Sequence, residues 1–363
     1  MWYGIKKGHE GKKMKKLAVP EPVSGGILLS YKCTAQCRHC MYGCSPRWRA
    51  DWMSERDAEL ILTQLSDKLR KRYPAQSKRI GVNYGIHFTG GEPFLNFDLL
   101  LRVTRIAHEL QIPSTFVETN CYWCADDDIT EERFTKLKAA GLAGMLISAN
   151  PFILEWVPFE RTLRGIEKSR AVFGRKNVIV YQELFCDQFT TLHVKGTLPF
   201  EAYREAMFER DPYGLYEGLG FPSVIPMGRA VFKLGNFYRR YPASHFFGES
   251  CHEELTRPWH IHIDNYCNYM TGYCGGISLG DARDIDAICE GIDLDDHPIL
   301  KALDSDIRKL HDFAVSEWEY EREPQGYISK CHLCVDIRRH IALETDDFME
   351  LQPKEFYNHL NQK

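Results

Sequence analysis

Residues 33–40 read CTAQCRHC, and Cys44 follows four positions later, so one short stretch crowds four thiols together. The segment before it, GILLSYK at 26–32, has the apolar run of a buried strand. The chain after it repeats a unit. SERDAELILTQLSDKLRKRY (54–73) reads as an amphipathic helix opened by Ser54, with Asp57 three residues on. GIHFTG then leads to a helix over 97–111, STFVETN to one over 130–140 closed by Gly141, and GMLISAN to one over 159–173 closed by Gly174. NVIVYQELF precedes a helix near 199–209, and SVIPMG (223–228) reads as a sixth strand. Such βα units predict a parallel sheet whose right-handed crossovers curl it into an α/β fold, a partial (β/α)6 TIM-like barrel over 26–240. Residues 1–25 read as an N-terminal arm carrying the basic run KKGHEGKKMKK, taken as solvated. Residues 241–363 read as a smaller C-terminal α+β domain, in which WHIHIDNYCNYMTGYCGGISLG (259–280) alternates like a β-hairpin.

The 363 residues are 44% hydrophobic, enough for a large core, and the net charge of -4 gives no reason to expect nucleic acid or an anionic membrane as partner. No run approaches the roughly 18 to 20 apolar residues of a membrane span, and the first residues lack the apolar core of a signal peptide, so a cytoplasmic location is expected. Thirteen cysteines, several at C-x-x-C spacing in so long a chain, point to metal or redox chemistry in place of disulfide staples.

In parallel βα folds the functional loops lie at the carboxyl ends of the strands, which is where the loop 33–44 should sit. Cys33, Cys37 and Cys40 can wrap one cuboidal iron-sulfur cluster and leave its fourth iron open for a small molecule. A zinc knuckle completed by His39 or Cys44 is the competing reading of the same residues. A second motif stands after the next strand, where IHFT runs into GGEP, Gly90 to Pro93. C-x-x-x-C-x-aromatic-C, with His39 at the aromatic position, together with GGEP resembles the radical S-adenosylmethionine (radical SAM) superfamily. PMGRA, Pro226 to Ala230, resembles a run that members with a C-terminal cluster domain carry.

The resemblance implies a [4Fe-4S] cluster on Cys33, Cys37 and Cys40 and bound S-adenosyl-L-methionine, cleaved to a 5'-deoxyadenosyl radical that abstracts a substrate hydrogen. It implies that Gly90 and Gly91 let the backbone approach the methionine end of the cofactor, with Glu92 fixing the turn. His39, Asn120, Ser148 and Asn150 become further cofactor-binding candidates. Cys44 is taken as a neighbour of the cluster and not a ligand. CYWC, Cys121 to Cys124, follows the third strand and is expected at the mouth of the barrel, so Cys121 and Cys124 are candidate catalytic residues, with Cys186 as a possible companion; two ordinary buried cysteines are the alternative.

Beyond the barrel stand Cys251, Cys267, Cys274, Cys289, Cys331 and Cys334. They resemble the family's SPASM or twitch extensions, which implies one auxiliary [4Fe-4S] cluster on Cys251, Cys274, Cys331 and Cys334, with Cys267 as a substitute ligand; a four-cysteine zinc site is the alternative. The expected function is that of a radical SAM oxidoreductase or modifying enzyme acting on a peptide or protein, or on a small biosynthetic intermediate. The alternative is a non-catalytic iron-sulfur electron carrier or scaffold that keeps the fold. A low-potential ferredoxin or flavodoxin is the implied reductant.

Overall fold

The computed structural model describes residues 16–73, 79–220 and 223–361, and the arm before Lys16 lies outside them. In chain order the strands are β1 Lys16–Leu17, β2 Ser24–Leu28, β3 Gly85–Thr89, β4 Thr115–Thr119, β5 Gly144–Ser148, β6 Val178–Tyr181, β7 Ile261–Ile263, β8 Tyr269–Met270 and β9 Ile292–Asp293. The main sheet has the order β6-β5-β4-β3-β2-β7-β8, while β1 and β9 form a separate antiparallel pair. From β6 to β7 every neighbour is parallel, and β8 turns back antiparallel on β7. The sheet is thus open, a partial barrel of the α/β class with β6 and β8 at its edges.

Local sequence explains the elements. All residues of β2 and β3 are buried, the polar Ser24, His87 and Thr89 included, as central strands of a helix-covered parallel sheet should be. The helix Glu55–Arg72 is capped by the Ser54 hydroxyl, which accepts from the Asp57 amide at 3.1 Å, and it buries Ala58, Ile61, Leu62, Leu65 and Leu69 as one stripe. Helices Phe97–Glu109, Asp127–Ala139 and Phe159–Phe173 follow β3, β4 and β5. No helix among the described residues is long and apolar enough to cross a membrane.

Two elements differ from the sequence reading. The run 223–228 forms turns and no strand: Val224 N–H donates to Gly220 O, Met227 N–H to Ile225 O, and Pro226 has no N–H to offer a ladder. The sixth parallel strand is β7 instead, taken from the predicted hairpin and paired with β2 on the far side, Gly25 opposite Ile261 and Ile27 opposite Ile263. NVIVYQELF ends as a strand at Tyr181, and a helix Glu183–Thr191 begins within it, so Cys186 sits on a helix and not at a strand end.

Candidate active site at the carboxyl ends of the strands

The loop after β2 is held by β3's successor turn. Gly91 N–H donates to Ser30 O at 2.8 Å and Glu92 N–H to Lys32 O at 3.0 Å. Both glycines are needed for that approach: a Cβ on Gly91 would lie 1.9 Å from Lys32 O, and Gly90, at φ +122°, would place one 2.4 Å from Ser30 O. Gly91→Ala is therefore expected to push the turn off the cysteine loop, lowering both the thermal midpoint and the iron retained after reconstitution. Unchanged iron and midpoint would show that the loop does not depend on this contact.

Glu92 lies behind the turn and does not line the cavity. Its carboxylate accepts from Phe94 N–H (3.1 Å), Thr119 Oγ1–H (2.9 Å) and Asn120 N–H (2.9 Å), which ties β3's turn to the end of β4. Burial nevertheless lifts its pKa to about 7, against those hydrogen bonds that favour the charged form. The folded value exceeds the unfolded one, so the folded state keeps a proton that the unfolded chain has lost. The stability this contributes is full below about pH 4.5 and is lost as pH rises toward about 7. The stability of the cluster-free protein relative to Glu92→Gln should fall across that window in urea unfolding. A flat difference would contradict the assignment.

A cavity of about 260 Å³ opens at this end of the sheet, lined by Cys33, Cys37, Cys40, Gly90, Gly91 and Asn120 among others. Met41, Tyr42, Leu146, Ile153 and Ile225 supply apolar wall. The Asn120 amide donates to Thr34 Oγ1 at 3.1 Å and reaches Cys33 Sγ at 3.8 Å. His39 also lines the cavity, stacked on Phe152; burial lowers its pKa to about 4, so the ring is neutral, and its Nδ1 is buried without a hydrogen-bond partner. Ser148 lines the cavity, whereas Asn150 does not: it caps the helical turn Pro151–Leu154 and lies 3.4 Å from His39 Nε2.

The thiols are not equivalent. Burial raises Cys33 to about 12 and also pushes Cys37 up, whereas Cys40 is pulled down to about 6, chiefly by a hydrogen bond from the Cys44 thiol, with Arg229 helping. Cys44 thus sits beside Cys40 as a donor.

Arg229 has the largest structural part that the sequence did not disclose. It is 1% exposed, and its guanidinium donates to Cys37 O (2.8 Å), Gly43 O (2.6 Å), Cys44 O (3.0 Å) and His359 O (3.1 Å), while its own N–H donates to Cys40 O. Gly228 makes room for this: a Cβ there would lie 2.2 Å from Met41 O. The G-R-A run is a clasp on the back of the cysteine loop.

Cys121 and Cys124 do not face the mouth. Both are fully buried, joined by a hydrogen bond, and packed on helix Phe159–Phe173, where a Cβ on Gly165 would meet Cys121 Sγ at 2.4 Å. The chain turns inward after Asn120, with Cys121 at φ +62°, and this removes the pair from the cavity despite its place after β4.

In the C-terminal part, Cys251, Cys274, Cys331 and Cys334 line one small cavity of about 30 Å³. Arg338, buried, donates to Cys334 Sγ at 3.3 Å and to Gly275 O at 3.1 Å, and Lys330 lies beside Cys251 and Cys331. Cys267 is elsewhere, in the β7–β8 turn with Asp57, Asp281 and Arg283 as its charged neighbours. It is not brought to the four. Cys289 is likewise apart, near Lys68 and Glu21.

Residues 27–182 match the family model described as the Radical SAM superfamily. Similar solved structures include BtrN in complex with AdoMet and 2-DOIA, at 14% identity over 79% of this chain and 88% of that one, TM-score 0.41. Streptococcus suis SuiB bound to S-adenosylmethionine is 12% identical over 92% and 77%, TM-score 0.32. Native anSMEcpe with bound AdoMet and a Kp18Cys peptide is 10% identical over 89% and 98%, TM-score 0.32. No curated protein matches.

Proposed function

We propose that the chain is a radical SAM enzyme that cleaves S-adenosyl-L-methionine reductively to take a hydrogen from its substrate, a reading supported by the match of residues 27–182 to the Radical SAM superfamily model. A [4Fe-4S] cluster bound at the mouth would supply the electron for that cleavage. The observation that carries the reading is a set of three cavity-facing thiols, Cys33, Cys37 and Cys40, at the end of β2. Their spacing suits a cluster better than one ion. A tetrahedral zinc holds its sulfurs about 3.8 Å apart, whereas among the described residues the only group of three candidate ligands within 4.8 Å of one another contains no cysteine.

The chain's own residues then have distinct tasks. Cys33, Cys37 and Cys40 hold the cluster; Arg229 and the Gly90–Glu92 turn fix the loop that presents them. Asn120, Ser148 and the orphaned His39 Nδ1 offer polar atoms to S-adenosyl-L-methionine, and Met41, Leu146, Ile153 and Ile225 keep water from the reacting atoms. Glu92 and Asn150 act by positioning, Glu92 through Asn120 and Asn150 beside His39.

The same argument supports one auxiliary [4Fe-4S] cluster on Cys251, Cys274, Cys331 and Cys334, which share a cavity with no trio among them within 4.8 Å. Burial pushes the Cys274 and Cys331 thiols up, and the Arg338 and Lys330 cations beside them oppose that shift. Anaerobically reconstituted protein should hold about eight irons per chain, falling to about four in Cys331→Ala; about four in the wild type would leave no auxiliary cluster.

The substrate is a peptide or protein, or a small biosynthetic intermediate, and a low-potential ferredoxin or flavodoxin is the reductant. The activity test is conversion of S-adenosyl-L-methionine to 5'-deoxyadenosine by the reduced, cluster-loaded protein. If none forms even with candidate substrates present, the electron-carrier reading replaces this one.

A further inference from the structure

Three histidines meet on the inner wall of the sheet, away from the cysteine loop in sequence. His87 stands on β3, His262 on β7, and His260 just before it. One ring nitrogen of each lies within 4.8 Å of the others, and the ring centroids are 4.8 to 5.4 Å apart. All three residues are buried.

Hydrogen bonding fixes which nitrogens are free. His260 Nδ1 is 3.0 Å from Val82 O and His262 Nδ1 is 3.0 Å from Gly272 O; a carbonyl only accepts, so both Nδ1 atoms carry the proton. Each ring therefore presents an Nε2 lone pair. His87 Nε2 is buried with no hydrogen-bond partner at all, 3.4 Å from Glu118 Oε1. Burial holds all three rings neutral, helped by neighbouring histidines at His87 and His262 and by the Arg257 cation at His260 and His262. A histidine whose second nitrogen donates to a backbone carbonyl is the usual form of a metal ligand, because that bond sets the tautomer and aims the ring.

The backbone makes space for the group. A Cβ on Gly26 would lie 2.4 Å from His87 Nε2 and 2.7 Å from His262 Cδ2. His260, His262 and Glu118 also line the large cavity, so the trio adjoins a space open to small molecules. Ordinary core histidines would not be expected to turn ring nitrogens on one another with one left unpaired, since an unsatisfied buried polar atom is costly.

We propose that His87, His260 and His262 bind one divalent transition-metal ion, with the Glu118 carboxylate as its anionic partner and the remaining coordination positions toward the cavity. Imidazole nitrogen with a carboxylate suits zinc, cobalt and ferrous iron, and not calcium or magnesium. The site shares the cavity of the proposed radical chemistry but requires no cluster, so the two readings can fail separately.

The test is anaerobic dialysis of cluster-loaded protein against zinc or cobalt chloride, followed by metal analysis. Wild type should retain about one equivalent more than His262→Gln or His260→Gln, with iron and sulfide content unchanged in all three. Bound cobalt should show visible ligand-field bands without thiolate charge transfer, a wild-type measurement that stands even if a variant folds poorly. Equal zinc in wild type and folded variants, no retained metal in wild type, or thiolate bands from the added cobalt would overturn the proposal. Iron content and 5'-deoxyadenosine formation on the same samples report the radical SAM reading independently.

Discussion

Cys37→Ala is expected to reduce 5'-deoxyadenosine formation to background and to lower iron from about eight to about four per chain. Three thiolates are the whole protein ligand set proposed for that cluster, and Cys37, 8% exposed, sits on the cavity wall with its backbone carbonyl already committed to Arg229. Cys44 lies beside Cys40, but burial, together with its hydrogen bond to Cys40, keeps it protonated. The variant should fold, because alanine is smaller and the loop keeps its clasp. Quantitative iron analysis with a turnover assay checks this, and full activity in the variant would remove Cys37 from the ligand set.

The second large effect is Arg229→Ala. It strips four carbonyls, those of Cys37, Gly43, Cys44 and His359, of a buried charged donor at one stroke. Cys37 O keeps Cys40 N–H and Gly43 O keeps Trp48 Nε1–H, so the loss falls on Cys44 O and His359 O; at about 1–3 kcal/mol for each buried group left unpaired, it is still a sizeable part of the roughly 5–15 kcal/mol that stabilises a typical protein. Water entering the space would recover some of it. Thermal unfolding should show a drop of several degrees or outright misfolding. Arg229→Lys separates charge from geometry: one ammonium cannot replace the fork, so it should recover folding better than it recovers iron at the N-terminal site. If Arg229→Ala keeps both its midpoint and its iron, the clasp is not what orders the loop.

Much of this was legible in the sequence because strand and helix periodicity dominate the first half of the chain. β2 through β5 and their helices stand where the apolar runs put them, and Ser54 caps its helix as read. The sixth strand was not legible, because SVIPMG and the short IHI of β7 are both plausible strands, and pairing is decided by the backbone approach that Gly25 permits to Ile261. The cysteine loop and GGEP turn could be placed from strand ends alone. Cys121 and Cys124 could not, since one residue at positive φ rotates the chain away from the mouth. The role of Arg229 depends on contacts with residues 37 to 44 and 359, which no local pattern reveals. His260 and His262 carried a weak signal: two residues apart, they fall on one face of a strand.

Three thiolates, Cys33, Cys37 and Cys40, would leave one iron of the proposed N-terminal cluster without a protein ligand. Electron paramagnetic resonance of the reduced, cluster-loaded protein, with S-adenosyl-L-methionine labelled with nitrogen-15 at its amino group, reads this directly. A hyperfine coupling from the labelled nitrogen to the cluster spin, lost in Cys37→Ala, is the result expected. A cluster signal that forms fully but shows no coupling and no change on adding the cofactor would contradict the account.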